Sequence, residues 1–138
     1  MTAKILVVDD EEPIRSLAQM ILTREGYDVV TASNGVEAIQ KAEVEKPDLV
    51  LLDVVMPGMS GLEVCRVLKT ETIARFVPVV MFTVLGRDVD HRLAEESGCD
   101  GYFVKPFTPE DLLAEVKMRL KESEQKNPFK QPKTRRRA

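Results

Sequence analysis

Lys4-Ile5-Leu6-Val7-Val8-Asp9-Asp10 runs through four consecutive apolar residues and stops on two carboxylates. A strand with one wet face alternates apolar and polar residues. A run that is apolar at every position predicts a strand buried on both faces, as in a parallel sheet covered by helices. The next segment confirms the pairing. Over residues 13–25, Ile14, Leu17, Ala18, Ile21 and Leu22 recur at i, i+3, i+4, i+7 and i+8, the stripe of an amphipathic helix, and Gly26 follows where a C-terminal cap is wanted.

The same strand-then-helix unit repeats along the chain. Residues 28–32, 49–52, 79–83 and 101–104 read as further strands. A helix over 35–45 starts at Asn34 with Glu37 three residues on, and Pro47 ends it. After the turn-rich Met56-Pro57-Gly58-Met59-Ser60-Gly61, Ser60 and Glu63 form a capping-box pair for a helix to about residue 70. Residues 87–96 give a thin helix whose apolar face is Val89 and Leu93. Thr108-Pro109-Glu110-Asp111 starts a fifth helix well, with Leu112, Leu113, Val116 and Leu120 facing inward. Five such units predict one α/β domain, a doubly wound five-stranded parallel sheet with five helices. We expect this domain to cover 1–121, with 122–138 as a flexible basic tail or truncated linker.

Composition narrows the function. The chain has 138 residues, 43% apolar and 31% charged, which suits a single domain with a water-facing surface. Its longest apolar runs fall well short of the ~20 residues of a membrane span, and the N-terminus lacks a signal-peptide core. A cytoplasmic protein is the expectation. Cys65 and Cys99, with His91 as the single histidine, fit neither a disulfide framework nor a zinc site. Net charge is −3 overall. Residues 121–138 hold seven Lys/Arg against two acids, a net of +5, which leaves −8 on residues 1–120. An acidic body does not suit nucleic-acid binding, and the basic tail reads as a solvated end before it reads as a nucleic-acid contact.

Ligands of open α/β sheets bind beyond the carboxyl ends of the strands. There the sequence places Asp9 and Asp10 after strand one, Asp53 after strand three, Thr83 after strand four and Lys105-Pro106 after strand five. Taken singly, each has an ordinary reading: helix caps, a turn residue, a strand-end threonine, a surface lysine. Their convergence on one edge is the signal. Three neighbouring carboxylates repel one another unless a hard cation sits among their oxygens, and Mg²⁺ favours such oxygens together with a phosphate. A carboxylate can attack phosphorus to give an aspartyl phosphate, whose charge Mg²⁺ and a lysine would share while a hydroxyl such as that of Thr83 contacts an oxygen.

The chain resembles the receiver domain of two-component response regulators over about residues 3–121. The resemblance rests on Val7-Val8-Asp9-Asp10-Glu11, Pro47-Asp48-Leu49-Val50-Leu51-Leu52-Asp53, Met56-Pro57-Gly58-Met59-Ser60-Gly61, Thr83 and Gly101-Tyr102-Phe103-Val104-Lys105-Pro106-Phe107. It implies a flavodoxin-like fold with strand order 2-1-3-4-5, as in the chemotaxis regulators. It implies that Asp53 is the phosphoacceptor of a phosphorelay. Asp9, Asp10, Asp53 and the Val55 backbone carbonyl would be the Mg²⁺ ligands. Lys105 would pair with the phosphoryl group across a cis bond to Pro106. Thr83 and Tyr102 would switch on phosphorylation and alter the face made by the fourth helix, fifth strand and fifth helix. The implied partners are a sensor histidine kinase or histidine phosphotransfer protein, a downstream effector protein, and a second copy of the chain as a homodimer, with no membrane contact. Such a switch phosphorylates only itself and is not an enzyme in the turnover sense.

Two positions depart from the family's commonest pattern. Val84 follows Thr83 where a small residue is usual, and Val55 offers no polar side chain, so neither orients an attacking water. Slow loss of the phosphoryl group is the expectation. A phosphohydrolase of the haloacid-dehalogenase type would need Asp-x-Asp after strand one, which Asp9-Asp10-Glu11 does not give. A nucleotide-binding protein would need Gly-x-x-x-x-Gly-Lys-Ser/Thr or Gly-x-Gly-x-x-Gly, and neither occurs.

Overall fold

A computed structural model of the chain describes residues 2–71, 76–84, 96–105 and 107–126, with the main chain alone at 83, 84, 103, 105 and 124–126. Its elements run β1 (Lys4–Val8), α1 (Glu12–Arg24), β2 (Asp28–Ala32), α2 (Gly35–Glu45), β3 (Leu49–Asp53), α3 (Gly61–Glu71), β4 (Val79–Val84), β5 (Gly101–Lys105) and α4 (Pro109–Lys126). The five strands form one sheet in the order β2-β1-β3-β4-β5, and every neighbouring pair is parallel. Four helices stand among the described residues rather than the five expected. The thin stripe of Val89 and Leu93 expected to form the remaining one lies outside the described residues, as do Pro106 and the 127–138 end of the tail.

Side chains alternate across a strand, so each apolar run serves two cores. Ile5, Val7, Leu49, Leu51, Val80 and Phe82 face α1 and α4, where Ala18, Ile21, Leu22, Leu112 and Val116 complete the packing. Leu6, Val8, Val50, Leu52 and Met81 face α2 and α3, where Ala38, Ala42, Val64, Cys65 and Leu68 complete it. Both sets are buried, and each fully buried aliphatic side chain contributes about 1.5–3 kcal/mol. The central strand β3 is buried at all five positions, including its terminal Asp53. Leu17 departs from the stripe expected of α1 and is 41% exposed.

Local signals set the helix ends. Glu37 N–H donates to Asn34 Oδ1 at 2.9 Å, while Glu37 Oε1 accepts from Ser33 N–H at 2.8 Å, one residue earlier than the expected box. That backbone N–H leads in holding the Glu37 carboxyl below its usual range. Ser60 and Glu63 form the reciprocal box as expected, at 3.0 and 3.2 Å. Thr108 Oγ1 accepts from Asp111 N–H at 3.0 Å. Gly26 follows α1 with φ of 102°, a conformation that costs other residues dearly. Helix α4 continues to Lys126, past the domain boundary expected at 121.

Candidate functional site

Strand register decides what meets at the carboxyl edge. Val8 of β1 stands opposite Leu52 of β3, so the next residues, Asp9 and Asp53, leave the sheet side by side at one height. Asp53 in turn stands opposite Phe82 of β4, so Thr83 comes one step further along the neighbouring strand. Thr83 pairs with Val104 and Val84 with Lys105, which brings the main chain of the expected phosphoryl contacts to the same edge. The side chains of Thr83 and Lys105 and the whole of Pro106 lie outside the described residues. Tyr102 is half-buried on β5 and packs against the core shared with α2 and α3.

Asp9, Asp10 and Asp53 come together. One carboxylate oxygen from each lies within 4.8 Å of the others. Asp9 is wholly buried and Asp53 is 4% exposed, whereas Asp10 faces solvent. The Asp9 carboxylate is aimed by its own chain, because Oδ1 accepts the Glu11 N–H at 2.9 Å. The Asp9 N–H donates to the Ala32 carbonyl at 3.2 Å and so ties the strand end to β2. The N-cap residue of α1, Glu11, makes no side-chain capping bond.

The donor set suits a small hard cation. Oxygens bound at about 2.0–2.6 Å from one ion stand at most about 4–5 Å apart, which matches the spread of the three carboxylates. Among the described residues these are the carboxylate, thiolate and imidazole ligands that gather in this way. The cysteines play no such part: Cys65 is buried, Cys99 half-buried, and burial pushes the Cys65 thiol up to about 11. The main-chain position of Val55 follows Asp53 by two residues, with its side chain 49% exposed beside the cluster's loop, between buried Val54 and Met56.

Two neighbours of the cluster escaped the sequence reading. Gly61 N–H donates to the Val54 carbonyl at 2.9 Å, which brings the start of α3 against the end of β3. Arg15 Nη1 donates to the Asp9 carbonyl at 2.7 Å. Gly61 was visible only as part of a turn. Arg15 offered one signal, a cation in the opening turns of a helix whose N-terminus favours anions.

The sequence model of the response regulator receiver domain matches residues 5–117. The alkaline phosphatase synthesis transcriptional regulatory protein PhoP of Bacillus subtilis is 49% identical over 124 residues, covering 90% of this chain and 51% of that protein. The DNA-binding response regulator MtrA of Mycolicibacterium paratuberculosis is 41% identical over 124 residues, covering 90% of this chain and 54% of that protein. The chain thus spans about half the length of the curated relatives it matches. The solved structure of the Vibrio cholerae chemotaxis protein CheY4 superposes with a TM-score of 0.81 at 34% identity, covering 86% of this chain and 99% of that one.

Proposed function

This chain belongs to the response regulator receiver domains, the phosphorelay switches of two-component systems, and from that premise we propose that Asp53 is its phosphoacceptor, with Mg²⁺ held by Asp9, Asp10, Asp53 and the Val55 carbonyl. The observation that carries the reading is the meeting of three carboxylate oxygens within 4.8 Å at the ends of β1 and β3. Burial holds Asp53 at a fixed height, and solvent-facing Asp10 leaves the site open on one side.

In the proposed reaction a carboxylate oxygen of Asp53 forms a bond to phosphorus as the phosphorus–nitrogen bond of a donor phosphohistidine breaks. The departing imidazole keeps the bonding pair and takes a proton from water. Bound Mg²⁺ would offset the charge gathering on the phosphoryl oxygens. On this reading Lys105 would pair with the same oxygens, and a cis bond to Pro106 would aim it. Thr83 supplies a hydroxyl contact, and Tyr102 follows it inward. The output on this reading is a changed surface around β5 and its flanking helices.

The partners on this reading are a sensor histidine kinase or histidine phosphotransfer protein upstream and an effector protein or second copy downstream, in the cytoplasm. The chain acts on itself and turns over no other substrate. On this reading residues 1–121 carry the switch, α4 runs on to Lys126, and the basic remainder of 122–138 is a tail or truncated linker.

Trapping tests the assignment. Borohydride reduces an aspartyl phosphate to homoserine, so reduction after incubation with acetyl phosphate and Mg²⁺ should place homoserine at position 53 in peptide maps. Homoserine elsewhere, or a stable phosphate ester on another residue, would overturn it.

A further inference from the structure

The Asp9 carbonyl oxygen accepts the Arg15 guanidinium at 2.7 Å. Helical side chains lean toward the helix N-terminus, so Arg15, fourth residue of α1, reaches back six positions. This placement runs against local preference. A cation near a helix N-terminus opposes the helix dipole, and ordering an arginine costs rotamer freedom. Local rules broken in this way tend to mark function.

The peptide group is planar, so whatever fixes the Asp9 carbonyl also fixes the Asp10 N–H and Cα. That one peptide joins the buried carboxylate of the cluster to the exposed one. Asp9 has its side chain aimed independently, through Oδ1 and the Glu11 N–H. Asp10 faces solvent, and its Cα is aimed through the peptide that Arg15 grips. We infer that Arg15 is a positioning residue for divalent-cation binding: its hydrogen bond to the Asp9 carbonyl sets the Asp9–Asp10 peptide and so the approach of the Asp10 carboxylate to the ion. The inference rests on the proposed reading of the carboxylates as a Mg²⁺ site.

Charge and geometry make opposite demands on this residue. A nearby guanidinium repels a divalent cation, so deleting the charge should tighten binding. Deleting the clamp should weaken it, and loss of an outer-shell partner typically costs 10- to 100-fold in metal affinity. Arg15→Met keeps the apolar stem while removing both donor and charge. Arg15→Lys keeps charge and a donor but loses the fork.

Calorimetric titration of Mg²⁺ into wild type, Arg15→Met and Arg15→Lys reads the sign, with circular dichroism confirming that each is folded. The inference predicts Mg²⁺ binding weakened about tenfold in Arg15→Met, with Arg15→Lys between that variant and wild type. It also predicts that phosphorylation by acetyl phosphate recovers in Arg15→Met at saturating Mg²⁺, which damage to the fold would not allow. Unchanged or tighter binding in Arg15→Met, beside normal binding in wild type, overturns the positioning role alone. Absence of Mg²⁺ binding in wild type overturns the metal site and the inference with it. Should Arg15→Met fail to fold, Arg15→Lys decides: wild-type affinity in that variant overturns the role, and a measurable loss supports it.

Discussion

Gly61 lies so close to the main-chain carbonyl oxygen of Asp53 that a side-chain carbon at position 61 would overlap it. The same carbon would stand 2.9 Å from the Cα of Val54. These are backbone atoms at and just past the end of a buried central strand and have little room to move. The start of α3 therefore buttresses the end of β3, and hydrogen closes the gap where a methyl group cannot.

Gly61→Ala should push the Asp53 main chain out of register with Asp9. Overpacking of this kind costs about 1–3 kcal/mol, to be read by urea unfolding. Labelling by acetyl phosphate should fall by at least about tenfold, since small misplacements of reacting groups are expensive. A stable variant labelled at the wild-type rate would show that the contact does not position Asp53.

Asp10→Asn should separate repulsion from metal binding. Without Mg²⁺ the variant should be the more stable, by about 1 kcal/mol for charges about 4 Å apart in a water-like medium. With Mg²⁺ the order should reverse, because wild type gains about 2.7 kcal/mol at a hundredfold excess over its dissociation constant while the variant gains less. Thermal melts with and without Mg²⁺ read both signs, and parallel shifts in the two proteins would argue against a cation among these carboxylates.

On the proposed reading, position 55 governs the lifetime of the phosphorylated form. The Val55 side chain is half exposed and cannot hold a water by hydrogen bonding. Val55→Asn should hasten loss of the phosphoryl group about 2- to 10-fold, the rate equivalent of one hydrogen bond of about 0.5–1.5 kcal/mol. Decay followed by mass spectrometry after removal of the donor gives the comparison. Identical decay in the two proteins would mean that this side chain does not govern hydrolysis.

Buried Cys65 makes a pH prediction. Burial raises its thiol from 9.0 in the unfolded chain to about 11 in the fold. Between those values the native state holds a proton that the unfolded state has lost, so stability is full below pH 9 and declines as pH rises toward 11. The loss from this group is on the order of 2–3 kcal/mol. Urea unfolding at pH 8 and at pH 10.5 should show a smaller decline in Cys65→Ala than in wild type. Equal declines would place the titration elsewhere.

Much of this architecture was legible because the apolar runs are unambiguous. Ile5–Val8 and Leu49–Leu52 admit one reading, and the strands they predict match the structure to within a residue. The carboxylate cluster was legible for the same reason, since Asp9 and Asp53 each end such a run and the register sets them level. Periodicity served less well at Leu17, because α1 covers the outer part of the sheet and its stripe is broader than the surface available. The length of α4 was also missed. Glu115, Arg119 and Glu122 carry the helix onward through ion pairs at 2.7 and 3.1 Å, a polar ladder with no apolar signature. Arg15 and Gly61 could not be read as parts of the site, because a reach back across a turn and a missing methyl group leave no periodic trace.

The central claim is that Asp53, beside a cation held with Asp9 and Asp10, accepts a phosphoryl group. Intact-mass spectrometry after incubation with acetyl phosphate tests it most directly, with and without Mg²⁺, on wild type and Asp53→Asn. The account predicts the gain of one phosphoryl group in wild type with Mg²⁺, and no gain when either Mg²⁺ or Asp53 is removed. The same gain in Asp53→Asn, or in wild type stripped of divalent cations, would contradict it.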